Sequence, residues 1–339
     1  MKIGITFDLR SDYAHLDVGP EDRLEEYDSD TTVDAIAQAL AELGHTPVRL
    51  GGGRAFLQAV LTSPPDLVFN FAEGYGTRSR EAHVPSVLEM LGIPFTQCDP
   101  LTAALTLDKP LAKRVVASFG IPTARFAVID DAAHLDAALE LAFPVIAKPA
   151  FEGSSMGIRR SSRCVDPDAL RELVLALHAG YAQPVLVEEF LPGAEFTVGV
   201  LGTGPTARCI GAMEIVPKRA PIASFVYSLE AKRDYQNEVS YHAPPRRPAG
   251  LVEAVERVAL DAYRALGCRE VGRVDVRLDA QDRPCFIEVN PLPGLNPVTG
   301  DLVLLAAGCG MDYRELIGAI VTGACHRAGL PIGEKGRAL

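Results

Sequence analysis

The sequence predicts a mixed α/β protein: a parallel, helix-covered sheet near the N-terminus, followed by strand–turn–strand units. Three observations predict it. Strand-like and helix-like runs alternate through the first hundred residues, an order that implies a parallel sheet with covering helices. Later strands come in pairs joined by Gly/Ser or Pro-Gly stretches, as in "FPVIAKPAFEGSSMGI" (143–158) and "PVLVEEFLPGAEFTVGVLG" (184–202). The chain has 339 residues, 48% hydrophobic and 23% charged, which suffices for two or three domains.

"KIGITFDL" (2–9) reads as the first strand. "SDTTVDAIAQALAELGH" (29–45) reads as a helix, with Ser29 as its cap, apolar residues at helical spacing and Gly44 at its end. "PDLVFNFAEG" (65–74) is a strand that runs into a Glu-Gly loop, and "VPSVLEMLGIPFT" (84–96) a helix followed by a short strand. Ligands of parallel sheets bind beyond the carboxyl ends of the strands, which puts Asp8, Arg10, Glu73 and Gly74 at a pocket mouth. A helix is expected to end near Gly120 and another over 251–267, while 217–248, rich in Pro, Tyr and charge, reads as a long irregular loop. A hairpin and a last helix, about 311–328, complete the chain.

Composition narrows the function. The net charge is −11, and "PPRRP" (244–248) is the one dense basic spot, so a nucleic-acid partner is not expected. Mean hydropathy is +0.12 and no apolar run approaches a bilayer span, so no membrane partner is expected and the chain reads as cytoplasmic. Seven scattered cysteines contain no C-x-x-C pair and read as isolated thiols.

The chemistry concentrates in "GRVDVRLDAQDRPCFIEVNP" (272–291). A four-residue loop at Ala280–Arg283 places Asp275 opposite Glu288. Alternation then puts Arg273, Asp275 and Arg277 on one face with Phe286, Glu288 and Asn290, and sends Val274, Val276, Leu278, Ile287 and Val289 into the core. Two carboxylates opposed on a strand pair repel, so something positive must sit between them. Arg273 is one answer. A divalent cation is the other, because Asp275, Glu288 and Asn290 offer the hard oxygens magnesium takes alongside water and substrate phosphates. The phosphates need a cradle. "KPAFEGSSMG" (148–157) supplies Lys148 as a point charge and a Gly/Ser loop with free N–H groups, and "VEEFLPGAE" (187–195) adds Glu188 and Glu195 around a turn.

These segments, in this order, resemble the ATP-grasp superfamily and within it the D-alanine–D-alanine ligases. The matching stretches are "TLDKPLAK", "FPVIAKPAFEGSSMG", "VLVEEFLPGAEFTVGVLG", "LEAK", "GRVDV" and "EVNPLPGL", over roughly 86–320. The resemblance implies an N-terminal α/β domain (1–98), a small ATP-grasp lobe (99–184) and a large lobe (185–330) with a lid at 217–248, the two lobes clasping ATP between antiparallel sheets. It implies that Lys109, Lys148 and Lys232 meet ATP phosphates, and that the loop of Glu152, Gly153, Ser154 and Ser155 closes over them. Glu188 would accept from the adenine amino group, the backbone of Glu189 and Leu191 would read the rest of the base, and Glu195 would hold the ribose. Asp275, Glu288 and Asn290 would hold two magnesium ions, manganese being an alternative. Arg273, with Ser154 and Lys232, would serve the reacting acyl group, and Glu73, Gly294 and Thr299 would line the amino-acid site. The implied activity is ATP-dependent joining of a carboxylate to an amine through an acyl phosphate, in a homodimer. An ATP-grasp phosphotransferase and a non-enzymatic ATP-binding module are the other classes such a nucleotide site serves.

The sequence departs from the ligase pattern in three places. No Gly-rich N-terminal segment is present; residues 7–30 read "FDLRSDYAHLDVGPEDRLEEYDSD", leaving Glu25 and Glu26 as candidates for the glutamate that meets the first amino acid. Leu229 stands where the lid carries a tyrosine before Lys232. Thr299-Gly300 replaces a Ser-Leu pair. ATP use is thus better supported than any one amino acid.

Overall fold

The computed structural model describes residues 1–15, 19–131 and 134–331. Three sheets carry the chain. The first has the order β2-β1-β3, with β1 (Lys2–Phe7) hydrogen-bonded in parallel to β2 (Thr46–Arg49) and β3 (Leu67–Phe71). Ile3, Ile5, Leu67 and Phe69 are fully buried, as expected where helices cover a parallel sheet. The covering helix Asp30–Glu42 turns Val33, Ile36, Ala39 and Leu40 inward; Ser29 occupies its cap position without a side-chain cap bond. The last helix, Tyr313–Ala328, joins the same core through Leu316, Ile317 and Ile320, so the end of the chain returns to its beginning.

The second sheet is antiparallel. It holds β4 (Phe126–Ile129), β5 (Val145–Pro149), β6 (Arg163–Cys164) and β7 (Val185–Glu189) in the order β4-β7-β5-β6. Helix Pro167–Tyr181 covers it with Leu170, Val174 and Leu177; Asp166 caps that helix on the Ala169 N–H at 2.9 Å. The boundary expected at 184/185 cuts this sheet. β7 lies at its centre, so by sheet membership the third unit starts at Glu195, beyond the Pro-Gly turn.

The third sheet, order β10-β9-β8-β11-β12, contains β8 (Glu195–Leu201), β9 (Arg208–Pro217), β10 (Val239–His242), β11 (Val271–Leu278) and β12 (Pro284–Asn290). Helix Ala249–Ala265 buries Val255, Ala259, Ala262 and Tyr263 against one face. The other face looks toward the second sheet across a cleft.

Two expectations are corrected. Segment 217–248 is not irregular throughout: it contains helices Leu229–Arg233 and Tyr235–Glu238, and β10, which pairs with β9. Those elements are four or five residues long, too short for periodicity to reveal. The hairpin register is also mixed. Asp275 faces Glu288 and Arg273 faces Asn290, but Val276 faces Phe286, leaving Ile287 as an extra residue on β12. This bulge turns Phe286 into the core, fully buried, and Ile287 toward the cleft, the reverse of strict alternation.

Candidate active site

The cleft is floored by β8, β11 and β12 and roofed by β5 and β7. Lys148, Glu188 and Glu189 come from the roof, Glu195, Asp275 and Glu288 from the floor, and Leu191 from the connection. A second, larger cavity opens beside it toward the N-terminal sheet and is lined by Glu26, Glu73, Asn290, Gly294 and Thr299. Tyr227, Lys232, Arg273 and Asp301 line both, so the two spaces meet at those four side chains.

Glu288 is the electrostatic centre. Lys109 Nζ lies 3.6 Å and Lys148 Nζ 4.0 Å from its carboxylate. Burial opposes its ionisation, but Lys109, Lys148, Arg273 and Lys232 overcome this and pull its carboxyl down to about 2. Asp275 behaves differently. Burial pushes its carboxyl up, against the pull of Arg273 and with the repulsion of Glu288 adding to the rise. It accepts from Thr197 Oγ1 at 2.8 Å and from Arg273 at 3.1 Å. Arg273 also reaches Asp301 at 3.5 Å, and its Nε is buried without an acceptor. Cationic side chains thus separate the opposed carboxylates within the chain itself.

Asp275, Glu288 and Asn290 fit a magnesium ion that brings other ligands with it. Among the described residues there is no group of three or more His, Cys, Asp or Glu side chains placed to cage a metal. Two carboxylates and an amide are an incomplete hard-oxygen set, the kind a triphosphate completes. Asn290 Oδ1 accepts from the Leu292 N–H at 3.0 Å and keeps a lone pair for another partner.

A helix residue that the sequence analysis did not single out packs against the roof. Lys113, fully buried, lies 2.6 Å from Glu188 Oε1, while Lys148 lies 2.9 Å from Oε2. Both oxygens of Glu188 lie against lysines, so its side chain is their counter-ion, and it also lines the cleft. The two lysines hold its carboxyl below the usual range despite burial. The trio has one more cation than anion, and burial with repulsion from Lys148 draws Lys113 down. The signal was present in "TLDKPLAK": Lys109, Ala112, Lys113 and Val116 form one buried stripe of helix Lys109–Ser118.

Other expected residues divide. Glu195 lines the cleft and accepts from Arg277 at 2.9 Å. Glu189 lines it with one oxygen held by Arg125 and the Ala142 N–H. Glu152 does not face the cleft: its carboxylate takes Gln183 at 2.6 Å and Arg80 at 3.2 Å, and only its carbonyl meets Lys109. Asp8 is committed to Tyr13 and to the Gly74 N–H, whereas Arg10 lines the larger cavity. Of the N-terminal candidates, Glu26 is buried in a two-point pairing with Arg80, and Glu25 binds Arg233 of the lid at 2.7 Å.

The Gly/Ser loop turns tightly through left-handed backbone. Ser154 and Ser155 hold left-handed φ values of +47° and +60°, costing about 1–2 kcal/mol each. Gly157 is also left-handed at +74°, and a Cβ there would come within 2.4 Å of Pro149; its N–H is taken by buried Asp22. The loop is joined to the lid by Ser155 Oγ donating to the Tyr227 carbonyl at 3.4 Å and by the Leu229 N–H donating to the Ile158 carbonyl at 3.0 Å. Lys232 Nζ sits 5.3 Å from the Tyr227 ring centroid, and the Tyr227 hydroxyl is paired with that of Tyr241. Leu229 is buried and lines the larger cavity. Leu229→Tyr is expected to add a hydroxyl there and change relative kcat/KM values across amino acids by about tenfold; an unchanged profile in ADP-release assays contradicts this role for the lid.

Comparison with known proteins identifies this arrangement. The family model for the D-ala D-ala ligase C-terminus matches residues 115–322, more than half the chain. A D-alanine–D-alanine ligase of Bordetella avium is 36% identical over 269 residues, covering 77% of this chain and 80% of that protein. The chain belongs to the D-alanine–D-alanine ligase family. It is therefore an ATP-dependent, ADP-forming ligase that makes a C–N bond. The fold is ATP-grasp, matching the Bacillus anthracis D-alanine–D-alanine ligase complexed with ATP at a TM-score of 0.75 and 20% identity, over 97% of this chain and 99% of that one. It also matches the VanG D-Ala:D-Ser ligase of Enterococcus faecalis at a TM-score of 0.73 and 20% identity, over 95% and 99% of the two chains. Among the described residues no helix is long and apolar enough to cross a membrane.

Proposed function

We propose that the protein activates the carboxylate of one amino acid with ATP and joins it to the amine of another. The observation that carries this reading is the meeting of the two cavities at Lys232 and Arg273, beside Glu288. Nucleotide occupies the cleft, with its base against the Glu189–Leu191 backbone and its ribose at Glu195. The γ-phosphate points to the junction, where Lys109, Lys148 and Lys232 offset its charge. Asp275, Glu288 and Asn290 would hold magnesium, which supplies Lewis-acid stabilisation of the transferring phosphoryl group.

The donor lies in the second cavity with its carboxylate toward Arg273. Phosphoryl transfer to that carboxylate gives an acyl phosphate, and attack by the acceptor amine gives a tetrahedral adduct that expels phosphate. Arg273 offsets charge on the acyl oxygen, using the Nε that lacks an acceptor. Loop and lid, joined through Ser155 and Leu229, exclude water from the acyl phosphate. Thr299 and Gly294 border the acceptor. The reading includes a cytoplasmic homodimer, where ATP is available.

The relatives' names pair D-alanine with D-alanine and, for VanG, D-Ala with D-Ser, so the substrate pair differs among proteins of this fold. ADP release across D- and L-amino acids, singly and in pairs, tests the reading. Turnover that needs an amino acid and yields a dipeptide supports it. Tight Mg-ATP binding without turnover on any pair contradicts it.

A further inference from the structure

Beside the two cavities, a small chamber is lined by Lys109, Arg273 and Glu288 together with an acidic group of Glu26, Glu73 and Glu81. The acidic group is not balanced within the chain. The Arg80 guanidinium makes four donations, to Glu26 at 3.0 and 2.7 Å, to the Phe151 carbonyl at 3.0 Å and to Glu152 at 3.2 Å, and none to Glu73 or Glu81. Glu26 is thereby compensated. Glu81, 6% exposed, keeps Oε2 buried with no partner. Glu73, which faces both cavities, makes no hydrogen bond or ion pair to the described residues. Burial, then repulsion from Glu81, pushes the Glu73 carboxyl well above its usual range, and burial pushes Glu81 up to about 7. Buried carboxylates without partners are costly unless a ligand supplies the missing cations.

An amino acid whose carboxylate faces Arg273 brings one ammonium to this group, which answers one of the two unpaired carboxylates. We propose that the acyl donor is a short diamino acid, its two ammonium groups held by Glu73 and Glu81. The chamber is small, about 30 Å³, room for one small polar group, beside a neighbour of about 690 Å³. That size favours a short side chain such as that of 2,4-diaminobutyrate over lysine or arginine. This inference rests on the ligase reading and deepens it, because it names what distinguishes the donor from alanine.

The test is positional isotope exchange in ATP labelled at the β–γ bridge oxygen, which reports reversible acyl-phosphate formation by a donor without an acceptor. Both enantiomers of 2,4-diaminobutyrate are compared with norvaline, its neutral isostere, and with alanine. The diamino acid is expected to exchange at least about tenfold faster than norvaline, because a site built for polar groups rejects the analogue that lacks them. In Glu81→Gln and Glu73→Gln that ratio falls toward one. Norvaline or alanine exchanging as fast as diaminobutyrate overturns the proposal and leaves the ligase reading intact. Exchange with none of these amino acids overturns the donor proposal, and ADP release across the wider amino-acid panel then tests the ligase reading separately. The wild-type comparison decides the matter even where a variant fails to fold.

Discussion

Glu288→Gln lowers turnover by about 10²–10³-fold at saturating magnesium and leaves the fold intact. Glutamine matches glutamate in shape, so the β11–β12 pairing around the bulge survives. What is lost is the one carboxylate that four cations keep ionised, with a pKa of about 2. A neutral amide neither holds a dication well nor balances Lys109 and Lys148. The loss corresponds to about 3–4 kcal/mol of transition-state stabilisation. Steady-state ADP release paired with a thermal melt checks it. Near wild-type turnover with an unchanged Tm contradicts the metal role of this residue.

Lys113→Met destabilises the protein by about 3–5 kcal/mol, the usual cost of breaking a buried ion pair by removing one partner. Lys113 is fully buried, and it also donates to Thr123 Oγ1 at 2.5 Å, which in turn donates to the Phe286 carbonyl at 2.8 Å. Its removal therefore loosens the contact between helix Lys109–Ser118 and β12 as well as unbalancing Glu188. The effect has a pH signature. The folded pKa of Glu188 lies below its ordinary 4.5. Its contribution is therefore complete above that value and is lost as pH falls through the depressed folded value. In Lys113→Met the depression shrinks, and the stability lost in acid shrinks with it. Urea melts between pH 3 and 7 measure this; equal stabilities of variant and wild type across that range contradict a structural role for the trio.

Much of the fold was legible because its elements are long or strongly patterned. The N-terminal β-α-β order, helix Ala249–Ala265 and the pairing of Asp275 with Glu288 follow from periodicity and alternation. The bulge at Ile287 was not legible, since alternation assumes one residue against one, and an extra residue leaves no mark in composition. Strand β7 was assigned to the wrong sheet for a related reason: the turn after it looks like a hairpin turn, yet its two flanks belong to different sheets. At the site, residue types and order located the charged groups on the cleft floor, but not which cations would neutralise which anions. Lys113 shows this. A lysine on an apolar stripe reads as a boundary residue until a second lysine and a glutamate from another sheet surround it. Of the acidic group, Glu26 and Glu73 were named as substrate-site candidates, but Glu81 was not, because nothing in "TRSREAH" (77–83) marks it as buried.

Asp275 and Glu288 meet across the β-ribbon, where they would hold divalent metal together with the phosphates of ATP. Electron paramagnetic resonance of Mn²⁺ titrated into the protein, with and without ATP, reads this most directly. Tight manganese binding that requires nucleotide in the wild type, and is lost in both Glu288→Gln and Asp275→Asn while these variants remain folded, is the predicted result. Nucleotide-dependent manganese binding that is equally tight in all three proteins contradicts the claim, because the ion is then held somewhere else.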